Sequence, residues 1–585
     1  MSEKESQATV LIALCQDEGV RLIHDSEGNA FAILNIDGVE QTHSVRSKNF
    51  RRWLANVFYQ EMHSVPNSQA MADATIALEG KAIFQGDNHD VCLRVGGNLD
   101  RIVIDPGWPD WQKIVVDGNG WRVGKSEILF RRSKGLLSLP VPAKGGNLNE
   151  LRRLLNVDDD GWRLIVGWML AALRPIGPYP VLILSGEQGT AKSTTCRVLR
   201  ALIDQNKAPL RSPPRNERDL LIAASNGWAV CLENLTDVPG WLSDALCRLA
   251  TGGGFSTREL FSDGDEIIFD AQRPAMLNGI GDFINRSDLL DRALMVTLQP
   301  IPESKRRPES EFWQDFDSIK NRVLGCLLDA LSGAVRNHQT VHLNDLPRMA
   351  DFAIWMNASE TSLGWKPGEF NRAYKSNRQS ADEQAIEGSI FGQAIRRLAE
   401  DDDFEGNASQ LLNRLNERTP EPDRKIGHDW PKNARQLSSQ LRRIAPNLRR
   451  LGVSIDFDGP RRQLAIRKLS QNTVRTVQTV FDPQKDAIFD ARSAHGLDSS
   501  CTVDARSEEQ TARSAHGLRN QGTSENAAKN GVSHGLHGLH GPKQRLSDEA
   551  CPRCKSQIVE SVTFDGFINR NCSGCGKSFQ CRKAN

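Results

Sequence analysis

The stretch Val181-Leu182-Ile183-Leu184-Ser185-Gly186-Glu187-Gln188-Gly189-Thr190-Ala191-Lys192-Ser193-Thr194 decides how this chain folds. An apolar run suited to a buried parallel strand gives way to a G-x-x-x-x-A-K-S-T loop and then to a helical pattern. That order is the strand, loop and helix of a P-loop, with Ala191 where the pattern usually has glycine. Gly186 and Gly189 let backbone N–H groups curl around phosphates, and the next helix offers the positive end of its dipole. Gln188, Thr190, Ala191 and Thr194 complete the cradle. Lys192 is placed to reach β- and γ-phosphates, and the Ser193 hydroxyl to ligate Mg²⁺. ATP with Mg²⁺ is the expected cofactor.

At 585 residues the chain exceeds what one core can hold, so three or more domains are expected. Charged residues make up 25% and the net charge is +1, which excludes a globally basic nucleic-acid binder. Basic character must be local. No apolar run is long enough to cross a bilayer, and MSEKESQATV has no signal-peptide pattern, so a soluble, cytoplasmic protein away from membranes is expected. Cys15, Cys92, Cys196, Cys231, Cys247 and Cys326 sit among apolar neighbours, as buried free thiols would. Five of the twelve cysteines crowd into the last 35 residues, which points to a metal.

The fold class is multidomain α/β. Residues 1–150 alternate short apolar strands with turns, including the hairpin signal Asp117-Gly118-Asn119-Gly120, and carry one basic helix from Arg46 to Glu61. They form an α+β accessory domain of unknown role, without an acidic motif for a primase site. Residues 151–304 alternate helix and strand as a nucleotide-binding core requires. Residues 305–404 read as helical and 405–468 as helices followed by a two-stranded ribbon. Residues 469–545 are poor in large apolar side chains and repeat Ala-Arg-Ser-Ala-His-Gly-Leu at 491–497 and 512–518, a disordered linker. Residues 546–585 hold the clustered cysteines.

Past the P-loop, the apolar strand Trp228-Ala229-Val230-Cys231-Leu232 ends in Glu233-Asn234, and a second strand, Ala275-Met276-Leu277, ends in Asn278. Arg292 follows fourteen residues later, and a hairpin pattern fills residues 258–269 between the acid and Asn278. This order resembles the superfamily 3 helicases, AAA+ ring ATPases of small DNA viruses, phages and mobile elements. The likeness covers residues 160–300 and extends weakly, as a phage-type primase–helicase arrangement, to 468. It implies that Glu233 is the Walker B acid sharing Mg²⁺ with Ser193, and that Asn278 orients the attacking water. It implies further that Arg292 is a finger toward the neighbouring subunit's γ-phosphate in a homo-oligomeric, hexameric ring. The hairpin, with Arg258 at its base, would face DNA in the channel. Two departures stand out. Asn234 replaces the second acid of the family pattern, leaving Asp237 as a substitute base or hydrolysis slow, and the hairpin tip (Asp263, Asp265, Glu266) is acidic.

Two further segments point to DNA. In Pro431 to Ile444, Leu437, Leu441 and Ile444 share one helical face, while Arg435, Gln436, Ser439, Arg442 and Arg443 occupy the other. A strand, a turn with Arg461 and Arg462 beyond it, and a second strand complete a winged helix-turn-helix pattern. The alternative is a solvated basic helix packed on the ATPase. At the C-terminus, Cys551-x₂-Cys554 and Cys572-x₂-Cys575 lie 17 residues apart, the spacing of a structural zinc ribbon. Its basic side chains suit DNA or the docking of other replication proteins. The combined expectation is an ATP-dependent, helicase-like DNA motor of a phage or mobile element. The rival is a DNA-binding, ATP-gated switch or replication initiator without unwinding activity.

Overall fold

Alternating side chains build the centre of the molecule. Strands Val230–Leu235, Ala275–Gly279, Val181–Ser185 and Ala293–Thr297 lie in that order, all parallel. Leu182, Leu184, Met276, Leu294 and Val296 enter one apolar core, while Val181, Ile183, Val230, Leu232 and Leu277 enter the other. A sheet buried on both faces requires strands without polar alternation, which is why these segments read as unbroken apolar runs. A computed structural model describes residues 5–258, 266–269, 272–284, 286–426, 430–458 and 463–469, and four strands between 544 and 582.

Helices Asp159–Ala172 and Lys192–Ile203 cover the first face, and Glu217–Asn226 and Gly240–Thr251 the second. Helices Glu309–Asn337, Ala350–Ser359 and Glu369–Glu387 do not form a separate core. Phe316, Leu324, Leu331, Phe352, Met356 and Phe370 join the first cluster, and Ala381 and Ala385 the second.

Residues 1–150 divide into two parts. Helices Gln7–Asp17, Lys48–Met62 and Ser68–Gln85 pack with a small sheet around Leu11, Leu34, Phe50, Leu54, Phe58 and Leu78. The basic helix is thus joined by two that the sequence pattern did not signal. Ser68–Gln85 buries mainly Ala70, Ala74, Leu78 and Ala82, a face too small-sided to stand out by hydrophobicity. The strands Val95–Gly97, Arg101–Ile104, Lys113–Asp117 and Gly120–Gly124 form an antiparallel meander whose Ile102, Ile104, Ile114 and Val116 enter the core of the central sheet. Its last hairpin turns at Asp117–Gly120, with the Asp117 carboxylate accepting the Asn119 N–H at 2.9 Å.

One buried ion pair fastens this meander to the core of the central sheet. Arg94, 0% exposed, donates through Nε to Asp204 Oδ1 at 3.1 Å and through its other nitrogens to the carbonyls of Asp105, Leu137 and Gln205. Asp204 also accepts from Arg200 and from the N–H groups of Trp228 and Ala229. Every strong donor is matched, the condition under which a buried pair is tolerated.

The chain then forms helices Ile390–Asp401, Ala408–Arg418 and Ala434–Arg450 with an antiparallel sheet in the order Phe404–Asn407, Gln463–Lys468, Val453–Asp458. The expected two-stranded ribbon gains its third strand from Phe404–Asn407. Phe391, Ile395, Leu411, Leu437, Leu441, Leu448, Ile455 and Ile466 make its core. Residues 470–543, the expected linker, lie outside the described residues, and a second unit holds the C-terminal strands. In it, Gln544–Ala550, Gln557–Val562, Phe567–Cys572 and Ser578–Arg582 form an antiparallel sheet in chain order. Among the described residues no helix is long and apolar enough to cross a membrane.

Candidate functional site

Parallel strands bring their C-terminal ends to one edge, so the segments that leave them are neighbours. From Val181–Ser185 the chain enters the loop 186–191 and then the helix Lys192–Ile203. Gly186 has φ +143° and Gly189 φ +83°, and a Cβ on Gly186 would lie 2.6 Å from the Leu298 carbonyl oxygen, so the loop's first position is confined to glycine. Ala191 itself stands in the left-handed region at φ +66°, where glycine is the unstrained residue. It contributes no side-chain cap to the helix, so the first-turn N–H groups are without the partner that caps other helices, such as Asn67 or Ser389, provide. These donors suit phosphate oxygens.

Lys192 Nζ donates to the carbonyls of Gly186 at 2.9 Å and Glu187 at 2.7 Å, and Thr190 Oγ1 donates to Glu187 O at 3.0 Å. Partial burial lowers the lysine pKa from its ordinary value. Ser193 and Thr194 are half-buried at the start of the helix, while Gln188 is exposed.

Asn278 ties the three strand ends together. It is 0% exposed, its Oδ1 accepts the Asn234 N–H at 3.0 Å, and its Nδ2 donates to Cys196 Sγ at 3.3 Å. Cys196 lies on the helix that begins at Lys192, and burial pushes its thiol pKa far up. Glu233 is half-buried and close enough for its charge to act on that thiol. Asn234 is exposed with φ +57°, where the ladder between its strand and Ala275–Gly279 is irregular. Asp237 is exposed beyond the strand. The structure thus gathers the loop, Glu233, Asn234 and Asn278.

Arg292 stands apart from them. Its carbonyl accepts the Val181 N–H at 2.9 Å, which puts it at the N-terminal end of the strand whose C-terminal end feeds the loop. The strand between spans about 13 Å. Its Nη1 donates to the Asp288 carbonyl at 2.8 Å and its Nε is buried without a partner. The preceding residue is a charge hub. Asp291, 9% exposed, meets Arg348 at 2.8 Å, Arg378 at 2.5 Å and Arg450 at 2.8 Å. Burial raises its pKa, but these guanidiniums outweigh burial and hold it below the usual carboxylate value.

Arg450 ends the helix Ala434–Arg450 and also pairs with Asp382 at 2.6 Å. Along that helix Leu437 and Leu441 are buried, while Arg435, Gln436, Ser439, Arg442 and Arg443 are exposed. Two of the candidate DNA contacts are partly engaged. The Arg442 guanidinium lies over the Phe457 ring at 4.4 Å, and Arg443 approaches Asp288 at 3.6 Å. Gln436 Oε1 accepts the Lys432 N–H. Arg461 and Arg462 lie outside the described residues. Arg258 ends a strand pairing Phe255–Arg258 with Glu266–Phe269, and the tip between them, with Asp263 and Asp265, lies outside the described residues as well. Of the candidate zinc ligands, Cys572 ends the strand Phe567–Cys572, while Cys551, Cys554 and Cys575 lie outside the described residues. The six upstream cysteines are free thiols, but Cys92, Cys247 and Cys326 are only half-buried.

Sequence reading missed Arg211, whose backbone lies beside the acid strand: its N–H donates to Cys231 O and its carbonyl accepts the Glu233 N–H at 2.9 Å. A single-residue bridge leaves no periodic signal. It also missed Asp291 and Arg94, whose partners are far away in sequence.

Residues 148–379 match the family described as the actinomycete integrative conjugative element replication protein, and residues 391–480 match the C-terminal domain of that family. No curated protein matches the chain. Among solved structures, two apo structures of the NrS-1 C-terminal region are 10% identical, with TM-scores of 0.36 and 0.35, and each match covers 80% of this chain and 100% of the other. Over two consecutive stretches, in the order of that family's domains, the chain is similar to replication proteins of actinomycete integrative conjugative elements.

Proposed function

We propose that this protein is an ATP-driven DNA motor, working as a homo-oligomeric ring of hexamer type in the replication of a mobile element. The carrying observation is the convergence of the 186–194 loop, Glu233 and Asn278 at one end of a parallel sheet, with Arg292 at the other. In this reading the loop N–H groups and the uncapped first turn hold the phosphates of ATP. Lys192 exchanges the carbonyls of Gly186 and Glu187 for β- and γ-phosphate oxygens. Ser193 and Glu233 would hold Mg²⁺, which when bound would neutralise charge on the phosphates. Asn278 aligns the attacking water, and Arg292, too far from its own loop, serves the adjacent subunit.

Arg435, Gln436, Ser439, Arg442 and Arg443, with Arg461 and Arg462 on the wing and Arg258 at the hairpin, are the proposed DNA contacts. Zn²⁺ held by Cys551, Cys554, Cys572 and Cys575 is a proposal supported by strand order. The pairs Ala550↔Gln557, Ile558↔Cys572 and Asn571↔Ser578 put at one end of the sheet the strand ends that flank both C-x₂-C pairs. Docking of other replication proteins on this ribbon, and a cytoplasmic location, belong to the same proposal.

One observation favours a second reading, an ATP-gated switch or initiator without unwinding. Asn234 carries an amide where a base is expected, and an amide cannot take the proton of an attacking water. Nucleotide binding tests the premise that both readings share. Lys192→Ala should abolish high-affinity binding of a fluorescent ATP analogue while circular dichroism stays unchanged. Undiminished affinity in the folded variant would overturn the site.

A further inference from the structure

A cleft of about 470 Å³ opens between the N-terminal helical part and the edge of the central sheet. Lys48, Arg131, Arg132, Lys134 and Arg211 line it, and no carboxylate does. Arg132 is already neutralised by the bidentate carboxylate of Asp105 and stacked on Trp111 at 3.8 Å. Arg131 is aimed by the Ser225 carbonyl at 2.8 Å, and the charges of Asp25 and Glu27 act on it without an ion-pair contact. Among the described residues no acid pairs with Lys48, Lys134 or Arg211. Burial, and next the nearby Arg200, lower the Arg211 pKa, and the charge of Asp204 offsets them only in part, so a further anion would relieve the remainder.

Arg211 also lines a second hollow of about 330 Å³. That hollow is mixed in chemistry: Pro213 and Pro214 give it an apolar wall over the buried Leu220 and Leu232, and Arg215 and Asp219 also line it. Three cations without an ion-pair partner among the described residues, Lys48, Lys134 and Arg211, beside a recess with proline walls match a polymer that presents phosphates and unpaired bases together. An acidic peptide has no flat base to fill the recess, and a duplex keeps its bases stacked inside.

We propose that this groove binds a single-stranded nucleic acid, with phosphates against Lys48, Arg131, Lys134 and Arg211 and a base against Pro213 and Pro214. It is separate from the Ala434–Arg450 helix and does not depend on ATP hydrolysis. Its location gives it a line to the nucleotide site, because the Arg211 carbonyl accepts the N–H of Glu233.

The test uses the full chain and fluorescein-labelled (dT)20, read by anisotropy over a range of salt. Combined Lys48→Ser, Lys134→Ser and Arg211→Ser should weaken binding at least tenfold and flatten the salt slope by about 2 units, at roughly 0.7 per lost single-strand contact. Ile222→Glu is a second variant that spares the fold, because Ile222 is 52% exposed in the cleft wall. Its added negative charge should also weaken (dT)20 at least tenfold. Unchanged affinity and slope in Ile222→Glu would overturn the proposal, whatever the triple variant does. So would loss of poly-glutamate binding with (dT)20 binding intact, which would assign the cleft to an acidic protein. ATP turnover without DNA is read in the same proteins. Its absence in the wild type would count against the motor and leave the strand-binding result standing.

Discussion

Ala191 holds a backbone conformation that costs an L-residue roughly 1 kcal/mol and glycine nothing. Ala191→Gly is therefore expected to raise stability by about 1 kcal/mol in chemical denaturation while retaining ATP binding. A fall in stability would mean that the loop is built differently. Asn234, at φ +57°, lies where Asn and Asp are tolerated better than Glu. Asn234→Asp should then increase ATP turnover roughly tenfold or more if that position is the general base. Reduced turnover, with collapse in Asp237→Ala, would move the base to Asp237. At Arg94 the expected outcome is structural: Arg94→Ala leaves Asp204 buried beside one fewer cation and should cost about 3–5 kcal/mol, read as a lower denaturation midpoint. These residues differ in how far sequence discloses them. Ala191 and Asn234 announce themselves because they break a local pattern. Arg94 finds Asp204 110 residues away, and no local pattern carries that.

Among the elements, the segment Asp288–Arg292 connects the most. Asp291 gathers arginines that are 57, 87 and 159 residues distant, so the helix Ala434–Arg450 is bolted to the residue before the proposed finger. The Asp291 pKa is depressed in the fold. Its contribution is complete above the ordinary Asp value of about 3.9 and is lost as pH falls through the lower folded value. Wild type should therefore lose stability on that acid limb, and Asp291→Asn should remove this part of the limb and cost roughly 2–4 kcal/mol at pH 7. That figure is reduced because Arg348 and Arg450 are 45% and 37% exposed. An unchanged acid limb would show that the hub does not carry the docking. The strands of the central sheet were legible, since burial on both faces forces apolar runs. The helices Gln7–Asp17 and Ser68–Gln85 were not, and neither was the third strand Phe404–Asn407, which is short and pairs with Gln463–Lys468 far along the chain. The hub was illegible for the same reason, being made of charges that look like a solvated surface until the chain folds.

For the whole molecule, the proposed function divides one site between two copies. The loop, Glu233 and Asn278 share one edge of the sheet, and Arg292 lies at the other end. A chain so arranged should turn over ATP only when assembled, with the guanidinium supplied by a neighbour. Such a charge on the γ-phosphate can be worth three to five decades of rate. The most direct test mixes two inactive proteins, Lys192→Ala and Arg292→Ala, and measures ATP hydrolysis against total concentration. The account predicts that each alone is nearly inactive and that the mixture recovers activity, because some interfaces pair an intact loop with an intact arginine. No recovery on mixing, or full turnover by a monomer at high dilution, would contradict it.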